Sequence, residues 1–126
     1  MSWIVQNIHW ILIVSGLATF GIFPMIFAPR WGFKTLFGED VAAPSAVLVA
    51  RSWASMIAAS GLMLVYAAWH AEVRLPVLLF SIVGKTGFVL LTLSDLKRTR
   101  KQFALPVAIG DGVIVLLLAW YLLATR

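Results

Sequence analysis

The 126-residue chain has no cysteine and only five acidic residues, and charged side chains make up just 12% of it. The lack of cysteine excludes disulfides, thiol nucleophiles, cysteine-ligated zinc and iron–sulfur clusters. The shortage of charge argues against a soluble domain, because a domain this small must cover a large surface with polar groups. Soluble domains carry roughly 25% charged and roughly 45–50% hydrophobic residues. Here hydrophobic residues reach 62% and mean hydropathy is +0.98. The same figures exclude a disordered tail and a disulfide-rich secreted module. The composition predicts a single-domain integral membrane protein. The opening residues also lack a basic stretch and a small-residue cleavage site. The first span is therefore expected to remain in the mature protein.

Four apolar runs, at about 3–27, 45–69, 73–94 and 104–125, each approach or exceed the roughly 20 residues that cross a bilayer. Helices are expected, because an open sheet in lipid would leave backbone groups unpaired. No run alternates as a barrel strand would. The fold class read from the sequence is all-α, an antiparallel four-helix bundle. Pro24, Pro76 and Pro106 fall near span ends, where a missing N–H costs little. In the first connection, 28–44, Arg30, Trp31, Phe33, Lys34, Leu36 and Phe37 mix basic and bulky apolar residues. That mixture predicts a short helix in the headgroup region, followed by a turn at Gly38-Glu39-Asp40. The link 70–72 is short enough to predict a tight hairpin.

The formal charge of +5 falls mainly in the connections, so it is read as membrane orientation and not as an affinity for nucleic acid. Arg30, Lys34, Lys97, Arg98, Arg100 and Lys101 lie on one side, against Arg74 and Arg126 on the other. Positive residues stay inside, so loops 28–44 and 95–103 are expected in the cytoplasm and both termini in the periplasm of an inner membrane. Trp3, Trp10, Trp69, Trp120 and Tyr121 would then form an outer aromatic belt, with His9 and His70 belonging to it.

Three ionisable residues fall well inside spans: Arg51, Lys85 and Asp111. Each costs roughly 2.5–3.5 kcal/mol at a helix centre, so each needs a partner or water. At about 1.5 Å per residue, Arg51 and Asp111 lie roughly 10 Å from the inner ends of their spans and Lys85 roughly 15 Å. All three are therefore expected to meet in one layer with a net charge of +1. Ser81, Lys85 and Thr92 share a face of the third span, and Arg51, Ser55 and Ala58 a face of the second. Ala54, Ala58 and Gly61 form a narrow stripe, and Gly110 and Gly112 flank Asp111, where they would let a neighbouring helix close on the carboxylate. The candidate ligand-binding set is Arg51, Ser55, Ser81, Lys85, Thr92 and Asp111. Ser15 and Thr19, on one face of the first span, are expected to bond within their own helix or to a neighbour. Gly84-Lys85-Thr86 ends like a phosphate-binding loop, but Leu79 stands where that loop needs glycine and no strand precedes it. No nucleophile–base set or paired carboxylates appear, so no catalytic residue and no cofactor is assigned.

In length, in a first span ending at a proline-containing loop, in Ala50-Arg51 opening the second span with Gly61 ten residues on, and in an acidic residue in the fourth, the chain resembles the DoxX-like small four-helix bacterial membrane proteins. The resemblance covers most of the chain and implies a four-span bundle, with a link to quinone or sulfur redox partners in some members. It implies no catalytic residues. The expected function is to bind an apolar or anionic small molecule, a lipid or a partner membrane protein at the buried charges. The alternatives are a small homo-oligomeric transporter or channel, and a membrane subunit of a quinone-linked oxidoreductase.

Overall fold

The first apolar run does not form one continuous helix. In the computed structural model, which describes residues 2–40, 42–99 and 102–125, it is divided into α1 (Ser2–Gln6), α2 (Ile8–Phe20) and α3 (Pro24–Phe27). At the first division, the Asn7 side-chain amide donates to the Trp3 carbonyl at 2.8 Å, a local bond that competes with the helical ladder. At the second, Pro24 takes the first position of α3, where its missing N–H is no loss. Residues 21–23 make the turn before it, and the Gly21 N–H is shared between the Leu17 and Ala18 carbonyls at 3.1 and 3.2 Å.

The connection that follows is itself a helix, α4 (Pro29–Phe37), again begun by proline. It ends at Gly38 with φ of +71°, a left-handed conformation that side chains with a Cβ rarely adopt. Arg30 Nε and Nη2 donate to the two carboxylate oxygens of Asp40 at 3.1 and 2.5 Å, tying the turn back to the start of α4. That hydrogen bond, and then the Asp40 charge, hold the exposed Arg30 guanidinium above its ordinary pKa.

Then come α5 (Pro44–Trp69), a single 3-10 turn at Ala71–Val73, α6 (Arg74–Ser94), the short α7 (Leu96–Thr99) and α8 (Ala104–Ala124). Every element among the described residues is helical. Four stretches are long and apolar enough to cross a membrane: Ile8–Phe27, Pro44–Trp69, Ala71–Ser94 and Ala104–Ala124. The shortest, of 20 residues, would extend about 30 Å as a continuous helix. Of the basic residues read for orientation, Arg100, Lys101 and Arg126 lie outside the described residues.

Packing divides the four long stretches into two pairs. α2 packs most extensively on α5 and α6 on α8, while contact between the pairs is thinner. The first pair crosses at glycines: a Cβ added to Gly61 would sit 2.6 Å from the Gly16 carbonyl oxygen and 2.6 Å from the Phe20 nitrogen. Only glycine permits that approach of two backbones. Ala54, Ala58 and Gly61, the stripe expected on this helix, are buried.

The main apolar core lies at the hairpin end, where α5 turns into α6. Ile8, Ile11 and Leu12 from the start of α2 meet Leu64, Ala67 and Ala68 from the end of α5, Val77 and Leu78 from the start of α6, and Leu118 of α8. Leu12, Leu64, Leu78 and Leu118 are fully buried. Burial of this kind is worth about 1.5–3 kcal/mol per large side chain in water. In lipid the corresponding gain comes from packing.

Candidate functional site

Away from the hairpin end, the two helix pairs are bridged by one buried polar group. Lys85, halfway along α6, is 8% exposed and reaches both ways. Its Nζ lies 2.9 Å from Asp111 Oδ1 on α8, its own pair partner. The same Nζ donates to Thr19 Oγ1 on α2 at 2.8 Å, across the gap between the pairs. Thr19 in turn donates to the Ser15 carbonyl at 2.7 Å. The result is a chain from ammonium to hydroxyl to helix carbonyl. An ammonium carries three hydrogens, and two of them are used in these bonds.

The bridge separates two cavities. The first, of about 340 Å³, lies between α3, α4 and the start of α8, and includes Trp31, Gly32, Thr35, Leu36, Phe103 and Val107 in its lining. The second, of about 260 Å³, lies between α5 and α6, with Trp53, Met56, Phe80, Ser81, Gly84 and Phe88 in its lining. Thr19, Ile57, Lys85 and Asp111 border both. Both cavities are mainly apolar, so the bridge is their principal polar feature.

Of the six residues read as a site, the structure gathers three. Lys85 and Asp111 pair, and Ser81, one turn before Lys85 on α6, is buried and borders the second cavity. Thr92 is buried two turns beyond Lys85 but borders neither cavity. Arg51 and Ser55 depart from the expected inward orientation: both are exposed. Arg51 Nε donates to the Ile26 carbonyl at 2.9 Å, closing the end of α3, and Ser55 donates to the Arg51 carbonyl at 2.9 Å. The reason is local. α3 ends at Phe27, where Ala28 leaves the helical conformation before Pro29, so the Ile26 carbonyl lacks a helical partner, and a guanidinium reaches it without being buried. The expected three-charge layer of net +1 is thus a two-charge pair of net zero.

Thr19 is the residue that the candidate site set leaves out. Its sequence signal is a hydroxyl four residues after Ser15 in an apolar run, expected to bond within its own helix or to a neighbour, and it does both. The glycines beside Asp111 also behave otherwise than expected. A Cβ at Gly110 or Gly112 would meet no atom within 4 Å, so no neighbouring helix closes there, and Gly84 and Gly87 are equally open. The close approach falls at Gly16 and Gly61 instead.

A second set of polar groups sits at the hairpin end and serves the backbone. Arg74 Nε and Nη2 donate to the Ala67 and Ala68 carbonyls at 2.8 and 2.9 Å, and its Nη1 reaches the Tyr121 hydroxyl at 3.4 Å. His9 Nδ1 lies 2.8 Å from the Ala68 carbonyl, with its ring edge-on to Trp10 and Trp69. These groups bond to carbonyls in the last turn of α5, of which Ala67 also accepts the His70 N–H at 3.4 Å. His70 stacks on Tyr66 with ring centres 4.0 Å apart.

Comparisons with protein-family models, with curated proteins and with solved structures find no match. The site is therefore read from its own geometry.

Proposed function

We propose that the protein is an antiparallel four-span bundle of the inner membrane that holds a small apolar molecule with a polar end against the Lys85–Asp111 pair, without chemistry of its own. The observation that carries this reading is an ion pair of a buried lysine and a partly buried aspartate, bordered on two sides by mainly apolar cavities. A purely structural pair gains most when neighbouring side chains pack over it and exclude water. A pair left at the wall of open space is suited to a ligand. The length and four-span outline behind the DoxX-like resemblance support the same architecture. On this reading α4 lies at the cytoplasmic surface, with the 62%-exposed Trp31 at lipid depth, and both termini are periplasmic.

A second reading has one observation in its favour. Because four residues border both cavities, parting the Lys85–Thr19 bond would join them into one passage between the helix pairs. That arrangement suits a small homo-oligomeric transporter.

The test is mass spectrometry of molecules extracted from protein purified in mild detergent. The parent should carry a species enriched over the surrounding lipid, and the variant with both Lys85→Met and Asp111→Leu should lose it. Equal recovery from both proteins contradicts the binding reading. A cysteine at Thr99 should resist an impermeant thiol reagent in intact cells, and ready labelling there would reverse the proposed orientation.

A further inference from the structure

Ser81 is 4% exposed, and its hydroxyl has no hydrogen-bond partner. Other hydroxyls on these helices do not share that condition: Thr19, Thr35 and Ser55 each donate to the carbonyl four residues back. A hydroxyl buried without a partner costs about 1–3 kcal/mol. Ser81 borders the cavity between α5 and α6, and so does Lys85, which lies one turn further along the same face. Lys85 has one hydrogen left after its bonds to Thr19 and Asp111. Two donors with unused capacity therefore border one cavity whose remaining wall includes Trp53, Met56, Phe80 and Phe88.

We propose that this cavity takes the carbonyl oxygen of an uncharged apolar molecule, held between the Ser81 hydroxyl and the Lys85 ammonium. The proposal rests on the binding reading above and adds the ligand class and the cavity. A carbonyl oxygen has two lone pairs and accepts two bonds, which matches two donors. The charge balance favours a neutral group. Lys85 is already matched by Asp111, and Arg51 bonds elsewhere. A carboxylate here would face the Asp111 charge with no surplus cation to offset it. Depth favours the same class: Lys85 lies roughly 15 Å from either end of α6, beyond the reach of a molecule whose headgroup must stay hydrated.

The experiment is quenching of tryptophan fluorescence in detergent by three brominated probes of equal chain length: a dialkyl ketone, an alkane and a carboxylic acid. The Trp53→Phe variant identifies the part of the signal that comes from the cavity. The Trp53 signal should be half-quenched by the ketone at an about fivefold to tenfold lower mole fraction than by the alkane, the effect of one or two hydrogen bonds. The acid should do no better than the alkane. Ser81→Ala should lower the ketone's preference about threefold, leaving what the Lys85 ammonium supplies, and Ser81→Thr, which keeps the hydroxyl, should preserve the full preference. A ketone preference undiminished by Ser81→Ala, an acid preferred over the ketone, or ketone and alkane equal in the parent would each overturn the assignment while leaving the binding reading standing. If no probe quenches Trp53, the binding reading falls with it.

Discussion

The two ends of the molecule use polar groups in opposite ways. At the hairpin end, Arg74 and His9 bond to carbonyls at the terminus of α5, over a core of fully buried leucines. There the polar groups complete the backbone and leave the interior apolar. Toward the other end, Lys85, Asp111 and Thr19 bond to one another in the interior, cavities lie on both sides, and Ser81 has no partner. One end has the features of a scaffold. The other keeps a polar bridge and an unpartnered hydroxyl beside open space, where the proposed binding site lies.

The glycines give the sharpest way to break that contrast. Gly61→Val places a side chain against backbone atoms that cannot yield. It should cost about 3 kcal/mol or more, since overpacking against backbone is at the severe end of its range. Gly110 has open space around it, so Gly110→Ala should be neutral or stabilising by about 1 kcal/mol through helix propensity. Thermal unfolding in detergent measures both. Similar losses at the two sites would remove the distinction between a packed and an open region.

Next in size is Arg74→Met, which leaves two α5 carbonyls without their charged donor. It should lower stability by about 2 kcal/mol, the worth of hydrogen bonds to a charged group, and should leave retention of the proposed ligand unchanged. An effect on retention as large as that of altering Lys85 would join the two ends into one site.

Smallest is Arg51→Gln, with an expected loss of about 1 kcal/mol through the Ile26 carbonyl and no change in retention. Loss of the proposed ligand from this variant would restore Arg51 to the site from which its geometry removes it.

Much of this was legible in the sequence, and the exceptions have physical causes. Apolar runs about 20 residues long announced four long helices, and mixed basic and aromatic residues announced α4, because both signals depend only on local composition. The meeting of Lys85 and Asp111 could be read from depth along two helices, a single coordinate. Helix rotation and the choice among neighbours could not be read in that way. Arg51 turns instead to the Ile26 carbonyl, left open where α3 ends before Pro29, an ending inside a connection that composition alone does not resolve. Thr19 could be expected to bond its own helix or a neighbour, but the pattern did not name Lys85 as that neighbour. Its donor is used within its own helix, and its oxygen accepts from Lys85. Gly16 and Gly61 could not be told from Gly110 and Gly112 without knowing which helix faces which.

The claim that the buried pair serves the cavities and not the fold is tested most directly by a double-mutant cycle on stability. The single variants Lys85→Met and Asp111→Leu each strand a buried charge and should each lose about 3 kcal/mol. The variant carrying both changes should return to within about 1 kcal/mol of the parent, because apolar side chains of similar size can replace a buried ion pair without loss. A doubly changed protein as unstable as the sum of its singles would make the pair part of the scaffold and contradict the division between the two ends.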